Sequence, residues 1–267
     1  MNRFAVIIAA LMVIFALIPP CVAETLSVDE SFAKANELFD EADAILEAGD
    51  VDKATQGFKE ACAAYESMIE NGVVDGRVYY NLGNTYYRLG QPGKAIAAYQ
   101  HGRRLLPRDP GIAQNLQLVE NSTEDKLTRP ALSGFIAELL FWHVDLNYSE
   151  SRLLLLVVYA LLWVSAFAWL FARRRGIVWV CGILLCITLA CILSVVIKGR
   201  DRVRPTMGVV IVQTGVVRSG DGDEYPERFT LREGAQFRID ESRGKWHSIE
   251  LVDGNTGWVK DVDVETL

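Results

Sequence analysis

The chain has 267 residues, of which 51% are hydrophobic, and its formal net charge is -7. At roughly 100–200 residues per domain, this length allows about one to three domains. The acidic balance, with no basic stripe that carries interleaved aromatic residues, excludes a nucleic-acid surface as the main functional site.

The N-terminus predicts a secretory signal peptide over residues 1–23. A basic Arg3 precedes the apolar run Phe4–Ile18, and the small-residue pattern Cys21–Ala23 follows. This order is typical of a signal that is cleaved after export. One alternative is an uncleaved anchor with the same orientation. Another is a lipoprotein signal at the cysteine, which is disfavoured because Pro19 and Pro20 stand where small residues are usual.

Two further apolar runs predict membrane-spanning helices at residues 153–171 and 177–197. Each has about the 20 residues that are needed to cross a bilayer core, and neither contains a charged residue. The intervening loop, residues 172–176, carries three arginines and is therefore expected on the cytoplasmic side. Together with the signal peptide, this orientation places both large polar parts on the outer side. Buried helices of a soluble protein are the alternative.

The segment just before the first apolar run has an amphipathic pattern. Apolar residues recur every three to four positions within residues 130–150, and Trp142 and Tyr148 lie among them. This spacing predicts a helix that lies along the membrane surface with its aromatic residues at headgroup level.

The stretch "YYNLGNTYYRLGQPGKAIAAYQHGRRLLP", residues 79–107, predicts a pair of packed helices. Small residues at Gly83 and Ala95 allow two helices to approach closely, and the breakers around Gly90 form the turn between them. The order of large, small and proline residues resembles the tetratricopeptide repeat, in which two helices form each unit.

Weaker copies flank this stretch. The turn at Gly49–Ala54 aligns with Gly90–Ala95, and Asn115-Leu116 repeats Asn81-Leu82 at the family's usual spacing. Residues 24–128 are therefore predicted to form a tetratricopeptide stack that ends in a capping helix over Pro110–Asn121.

The resemblance implies a concave groove lined by the first helix of each repeat. Four residues are expected there or at its edge: Tyr80, Asn84, Tyr87 and Asn115. Asparagines at two of these places bind the backbone of extended peptides in the family, because one amide both donates and accepts. The alternative is that these asparagines only join neighbouring helices. Tyr80 replaces a lysine that grips C-terminal carboxylates in some members.

Residues 205–267 predict short strands separated by turns, as in a small all-β barrel. Landmarks such as Glu233-Gly234 and Gly257-Trp258-Val259 make this segment resemble the bacterial SH3-like (SH3b) domain. The resemblance implies binding of a wall peptide or a protein. Four aromatic residues could line a ligand surface or fill the core: Tyr225, Phe237, Trp246 and Trp258.

The fold class expected from these parts is a multidomain membrane protein, with an all-α tetratricopeptide stack, a two-helix transmembrane hairpin and a small all-β SH3-like barrel. In this order the chain resembles the BatE family of the Bacteroides aerotolerance (Bat) operon. The resemblance implies a complex with von Willebrand A-type Bat proteins and a MoxR-type AAA+ ATPase at the bacterial inner membrane.

The function expected is a non-catalytic scaffold on the outer, periplasmic side of the cytoplasmic membrane. The alternative is a peptidoglycan-sensing or wall-anchoring module that acts through the SH3-like domain. The sequence offers no nucleophile paired with a base, no metal-ligand set and no phosphate-binding loop, so neither an enzyme nor a cofactor is expected.

Overall fold

The computed structural model of the chain describes residues 25–123, 143, 145–203 and 207–267. The predicted signal peptide lies outside these residues, and so does most of the predicted interfacial helix. The described helices are α1 (Thr25–Glu47), α2 (Val51–Glu70), α3 (Gly76–Arg88), α4 (Pro92–Leu105), α5 (Pro110–Ser122), α6 (Tyr148–Ala172) and α7 (Arg175–Val203).

The first five helices begin and end at residues whose chemistry suits a helix terminus. The side chain of Asp50 accepts a hydrogen bond from the backbone of α2, and Asp75 and Asp109 do the same for α3 and α5. These acceptors satisfy backbone N–H groups that have no partner within the helix. Gly49 and Gly90 follow α1 and α3 with positive φ angles of 90° and 68°, a conformation that favours glycine.

Helices α1 to α5 pack as a stack of antiparallel pairs. The contact of α1, α2 and α3 buries Tyr65, Met68 and Val78, and Phe58 fills the space near the first turn. The contact of α3 with α4 is close because Gly83 lies against the ring of Tyr99, which is 1% exposed. This architecture sets α1, α3 and α5 side by side as the first helices of the stack.

Helices α6 and α7 form an antiparallel hairpin. Ser165 lies 3.3 Å from Cys181 near the loop, while Lys198 donates a 2.8 Å hydrogen bond to Ser151 at the other end. The loop itself is shorter than the predicted five-residue segment, because α7 already begins at Arg175, and Arg173 takes a positive φ of 42°. Both helices are long and apolar enough to cross a membrane.

The C-terminal residues form one antiparallel sheet of seven strands. In order of position the strands run β3-β2-β6-β5-β4-β1-β7. Their bounds are β1 (Met207–Val210), β2 (Thr214–Arg218), β3 (Glu227–Arg232), β4 (Gln236–Arg243), β5 (Trp246–Glu250), β6 (Thr256–Lys260) and β7 (Val264–Thr266), with a 3-10 helix at Asp261–Asp263. The pairing order is open, with β3 and β7 at its ends, so the strands form one antiparallel sheet and the order does not show the closure of a barrel.

The aromatic residues of the sheet divide between core and surface. Phe237 is 2% exposed and belongs to the sheet's apolar core, and Trp246 is also buried. Trp258 is half-buried beneath the guanidinium of Arg243, and Tyr225 is exposed. Two of the four aromatic residues are therefore core residues, and two remain accessible.

The sheet packs against the helical stack on the second-helix side. Ile96 of α4, Val119 of α5 and Leu267 at the end of the chain share one apolar cluster with Val209 of β1. The backbone N–H of Gly93 donates a 3.1 Å hydrogen bond to Glu233, and Gln236 donates a 2.6 Å hydrogen bond to Glu120. The contact covers α4 and the C-terminal part of α5, which is itself a first helix.

The start of the hairpin is joined to the same stack. Asn147 donates a 3.0 Å hydrogen bond to the backbone oxygen of Leu105 at the end of α4, and Arg108 forms an ion pair with Glu150. The N-terminal end of α3 lies here too, since Gly76 packs against Leu106. The Tyr80 end of α3 is therefore the end nearer to the hairpin.

Candidate protein-binding groove

The four predicted site residues lie on two neighbouring first helices. Tyr80, Asn84 and Tyr87 are spaced four and three residues apart on α3, so they share one strip of that helix. Asn115 of α5 faces this strip, and its amide nitrogen donates to Asn84 over 2.8 Å and to Tyr80 over 3.3 Å. The structure thus brings three of the four residues into direct contact.

Tyr87 is the fourth residue and lies one helical turn beyond that contact. Its side chain is 43% exposed. Leu118 of α5 lies one turn beyond Asn115 and is 52% exposed. Because both residues follow the contacting asparagines by three positions on adjacent helices, they extend the same strip as an apolar surface. We call the surface of Tyr80, Asn84, Tyr87, Asn115 and Leu118 the first-helix groove.

The two asparagines of the groove use opposite halves of their amides inside the protein. The Oδ1 atom of Asn84 accepts from Tyr99 over 2.7 Å and from Asn115 over 2.8 Å. The Nδ2 group of Asn115 is in turn occupied by its two acceptors. These bonds hold α3, α4 and α5 together, in agreement with the alternative that the asparagines join neighbouring helices.

The other half of each amide has no hydrogen-bond partner among the described residues. The Nδ2 group of Asn84 and the Oδ1 atom of Asn115 both lack one, and neither is a buried unsatisfied atom. Both are therefore accessible at the groove surface. One donor next to one acceptor matches the N–H and C=O groups of an extended backbone.

The same amide arrangement occurs between α1 and α3. The Oδ1 atom of Asn36 accepts from Tyr65 over 2.7 Å and from Asn81 over 2.8 Å. Asn81 occupies the place in α3 that Asn115 occupies in α5. The sequence did not single out Asn36, because α1 and α2 are longer than the other helices and shift it away from the repeat spacing.

Burial changes the acidity of several groups in the helical region. Burial raises the pKa of Tyr65 to about 12, although a hydrogen bond from Asn81 opposes the shift. The pKa of Tyr99 is also raised by burial. Burial raises the pKa of Cys62 to about 12, and the adjacent Glu66 carboxylate adds to the effect. These groups stay neutral near pH 7, so the groove region carries no activated nucleophile of this kind.

The sheet contains one polar constellation that the sequence did not reveal. His247, which is 7% exposed, lies 2.8 Å from Ser242 through Nδ1 and 2.8 Å from Asp261 through Nε2. An ionised carboxylate only accepts, so Nε2 donates to Asp261 and Nδ1 accepts from the serine hydroxyl. Ser242 is directly paired with His247 across β4 and β5, so this chain of hydrogen bonds ties the ends of the strands together.

Comparison with known proteins bears on the helical stack. The tetratricopeptide-repeat family model matches residues 76–109. The matched tetratricopeptide repeat comprises α3, α4 and the turn that precedes α5, and so it contains Tyr80, Asn84 and Tyr87. No curated protein matches the chain. The tetratricopeptide repeat is a protein-interaction unit, and its presence indicates a scaffold that binds other proteins.

The contact between the sheet and the tetratricopeptide repeat contains a buried histidine. Burial at this contact lowers the pKa of His101 from 6.5 to about 4, with a smaller contribution from Arg104 that a hydrogen bond with the Thr266 backbone opposes. Burial raises the pKa of Glu233 and Glu265 in the same contact, which has the opposite effect on pH dependence. The histidine therefore favours the docked sheet when it is neutral.

We expect the docked sheet to lose stability as the pH falls from 6.5 towards 4, because a released His101 takes up a proton over that range and a docked one does not. The contribution of this residue is on the order of 1–3 kcal/mol. Hydrogen exchange of the Gly93 amide, which bonds to Glu233 across the contact, measures docking over this pH range. In a His101→Gln protein the loss of docking stability at low pH should be smaller. What remains is the contribution of Glu233 and Glu265, which changes docking stability with pH in the opposite direction. An unchanged pH profile would contradict this role.

Proposed function

We propose that this protein is a non-catalytic, membrane-anchored scaffold that binds segments of partner proteins in the first-helix groove. The observation that supports it most is the pair of unused amide groups on Asn84, which lies within the matched tetratricopeptide repeat, and Asn115, beside exposed Tyr87 and Leu118. Such a groove offers backbone hydrogen bonds and apolar contacts to an extended segment.

The membrane anchor in this proposal is the α6–α7 hairpin. Large apolar side chains are exposed along it, including Trp179 at 77% and Phe171 at 66%. A soluble monomer rarely exposes an apolar surface of this extent. Since the helical stack joins the start of α6 and the sheet follows α7, both polar parts attach to one end of the hairpin. With Arg173 and Arg174 at the other end, we assign both parts to the periplasmic side.

The partners proposed are those that the resemblance to the BatE family implies. These are von Willebrand A-type Bat proteins and a MoxR-type AAA+ ATPase, within a stress or aerotolerance complex at the inner membrane. We assign the C-terminal sheet to the SH3-like class on the basis of its strand pattern. Two extramembrane surfaces on one anchored chain would raise the effective concentration of one partner near another.

A second candidate function is binding of peptidoglycan through the sheet. Two accessible aromatic residues, Tyr225 and Trp258, favour it, and Arg218 lies close to both. The guanidinium of Arg218 donates a hydrogen bond to the backbone oxygen of Tyr225, and Arg218 is paired with Trp258 across β2 and β6. These side chains form an aromatic and cationic surface on the far side of the sheet's own core. The sheet shares apolar residues with α4, so this function is tested on the whole chain.

The test is purification of the chain from cross-linked, detergent-solubilised membranes, followed by mass spectrometry. A Tyr87→Ala/Leu118→Ala protein removes the exposed apolar part of the groove without touching its hydrogen bonds. We expect recovery of A-type and ATPase partners to fall by about tenfold, as loss of two apolar contacts would cause. The matched control is Val51→Ala/Val74→Ala, which removes apolar residues exposed at 60% and 61% that do not belong to the first-helix groove. Equal recovery from both variants, or recovery of wall fragments alone, would contradict the proposal.

A further inference from the structure

The strip of α1 that faces α3, beside the first-helix groove, is acidic. Asn36 and Asp43 face α3, where they contact Asn81 and Arg88. Residues four positions after each of these, Asp40 and Glu47, continue the same strip of α1 because residues three and four apart share a helix face. Both side chains are exposed, and we call this pair the acidic strip.

Neither Asp40 nor Glu47 has an ion-pair partner among the described residues. The two arginines of α3 are already held by carboxylates, since Arg88 pairs with Asp43 over 2.7 Å and Arg77 with Asp75 over 2.6 Å. The one basic residue of α1, Lys34, lies on another face of that helix. The groove therefore combines unpaired negative charge with exposed apolar side chains.

An occupant has to match three features of this surface. The unused amide groups of Asn84 and Asn115 match a peptide backbone. Tyr87 and Leu118 match apolar side chains of that peptide. The acidic strip matches cations, and charge complementarity of this kind selects partners and speeds their approach more than it adds affinity. An anionic segment would instead meet like charge, at a cost that disfavours it.

We infer that the groove selects extended protein segments in which lysine or arginine residues are interleaved with apolar residues. This inference rests on the proposed function and adds the class of partner segment. The cations lie against Asp40 and Glu47, while the apolar residues lie on Tyr87 and Leu118. The backbone between them bonds to the two asparagines.

The experiment uses two short synthetic peptides with blocked ends and a fluorescent label. One repeats Lys-Leu-Ser-Leu, and the other has glutamate in place of lysine. Binding is measured by anisotropy on the full-length chain in detergent at low salt. We expect the lysine peptide to bind more tightly than the glutamate peptide, and Asp40→Lys/Glu47→Lys to weaken it by about fivefold to tenfold.

Two further proteins complete the test. Glu30→Lys/Glu41→Lys makes the same charge change on another face of α1, and we expect it to change binding less than twofold, since exposed distant charges are largely screened. Tyr87→Ala/Leu118→Ala should weaken both peptides. Equal loss in the two charge-reversed proteins would overturn the inference, because it would mean attraction to net charge alone.

The remaining outcomes separate this inference from the function on which it rests. Equal, groove-dependent binding of both peptides would overturn the cationic preference and leave the groove function standing. Binding of neither peptide, or lysine-peptide binding that tolerates Tyr87→Ala/Leu118→Ala, would also overturn the inference. The proposed function fails if partner recovery from membranes is the same with and without the apolar groove residues, or if wall fragments alone are recovered.

Discussion

A single methyl group at position 93 is expected to release the C-terminal sheet from the helical stack. The added Cβ of Gly93→Ala would stand 2.2 Å from the backbone oxygen of Val210 and 3.0 Å from the Cα of Ile211. That oxygen cannot move alone, because it accepts a 2.8 Å hydrogen bond from Gly234 and belongs to the paired strand β1. The sheet as a whole has to shift.

The cost of that shift is larger than the ordinary cost of overpacking. Overpacking by itself costs about 1–3 kcal/mol. The shift also breaks the Gly93–Glu233 hydrogen bond and returns Ile96 and Leu267 to water, and each fully buried side chain of this size contributes about 1.5–3 kcal/mol. We therefore expect docking of the sheet on the stack to become less favourable by several times the thermal energy.

Hydrogen exchange measures this release directly. In the Gly93→Ala protein, the amide of residue 93, which bonds to Glu233 of the sheet, should exchange much faster. Amides of β1, β4 and β5 should keep their protection, because they bond to neighbouring strands and the sheet stays folded as it separates. The matched control is Gly182→Ala, a helical glycine with nothing within 4 Å of the added methyl group. Exchange of the residue 93 amide that is equal in the two variants would contradict the docked arrangement.

The same substitution at two glycines of the matched repeat should have opposite effects. In Gly83→Ala the new methyl group would lie 2.6 Å from the ring of Tyr99. That ring is buried and held through its hydroxyl by Asn84, so it cannot turn away. An overpacking cost of about 1–3 kcal/mol outweighs the gain of about 1 kcal/mol in helix propensity.

At Gly102 the nearest atoms to an added methyl group are 3.3 Å away, on Gly76 and at the tip of Ile112. A shift of a few tenths of an ångström by that tip and by the Gly76 carbonyl makes room, and the helix propensity gain then dominates. Gly102→Ala should therefore unfold at the same temperature as the unchanged chain or higher. Gly83→Ala should unfold several degrees lower, as a loss of about 1–2 kcal/mol in a domain of this size implies. Thermal unfolding in detergent compares the three proteins, and equal midpoints would refute the packing argument.

The sequence predicts the secondary structure of this chain well because most of its signals are local. Turn residues at Gly49 and Gly90, and caps such as Asp109, place helix ends through the chemistry of neighbouring residues. The apolar runs predict two helices, and alternation predicts short strands after Met207. The helices at Tyr148–Ala172 and Arg175–Val203 are longer than the apolar runs because helix geometry continues into polar flanks.

Contacts between distant segments explain what the sequence could not predict. The docking of β1 against Ile96 produces no periodic pattern in the sequence, because each surface alone has the pattern of an ordinary apolar face. Asn36 does not lie at the repeat spacing from Asn84, so the sequence did not indicate its contact with Asn81. The hydrogen bonds of His247 to Ser242 and Asp261 depend on which residues the strands pair. The order in which the strands pair is likewise not encoded in alternation, because it depends on contacts between distant segments.

Photo-cross-linking from defined positions of the full-length chain in its own membrane tests the proposed groove most directly. A photoreactive phenylalanine analogue would replace Tyr87 or Leu118 in the groove, and Val51 or Val74 elsewhere on the stack. We predict adducts with A-type partners from positions 87 and 118, and none above background from 51 and 74. Adducts that form equally from all four positions, or only from 51 and 74, would contradict a scaffold that binds through its first-helix groove.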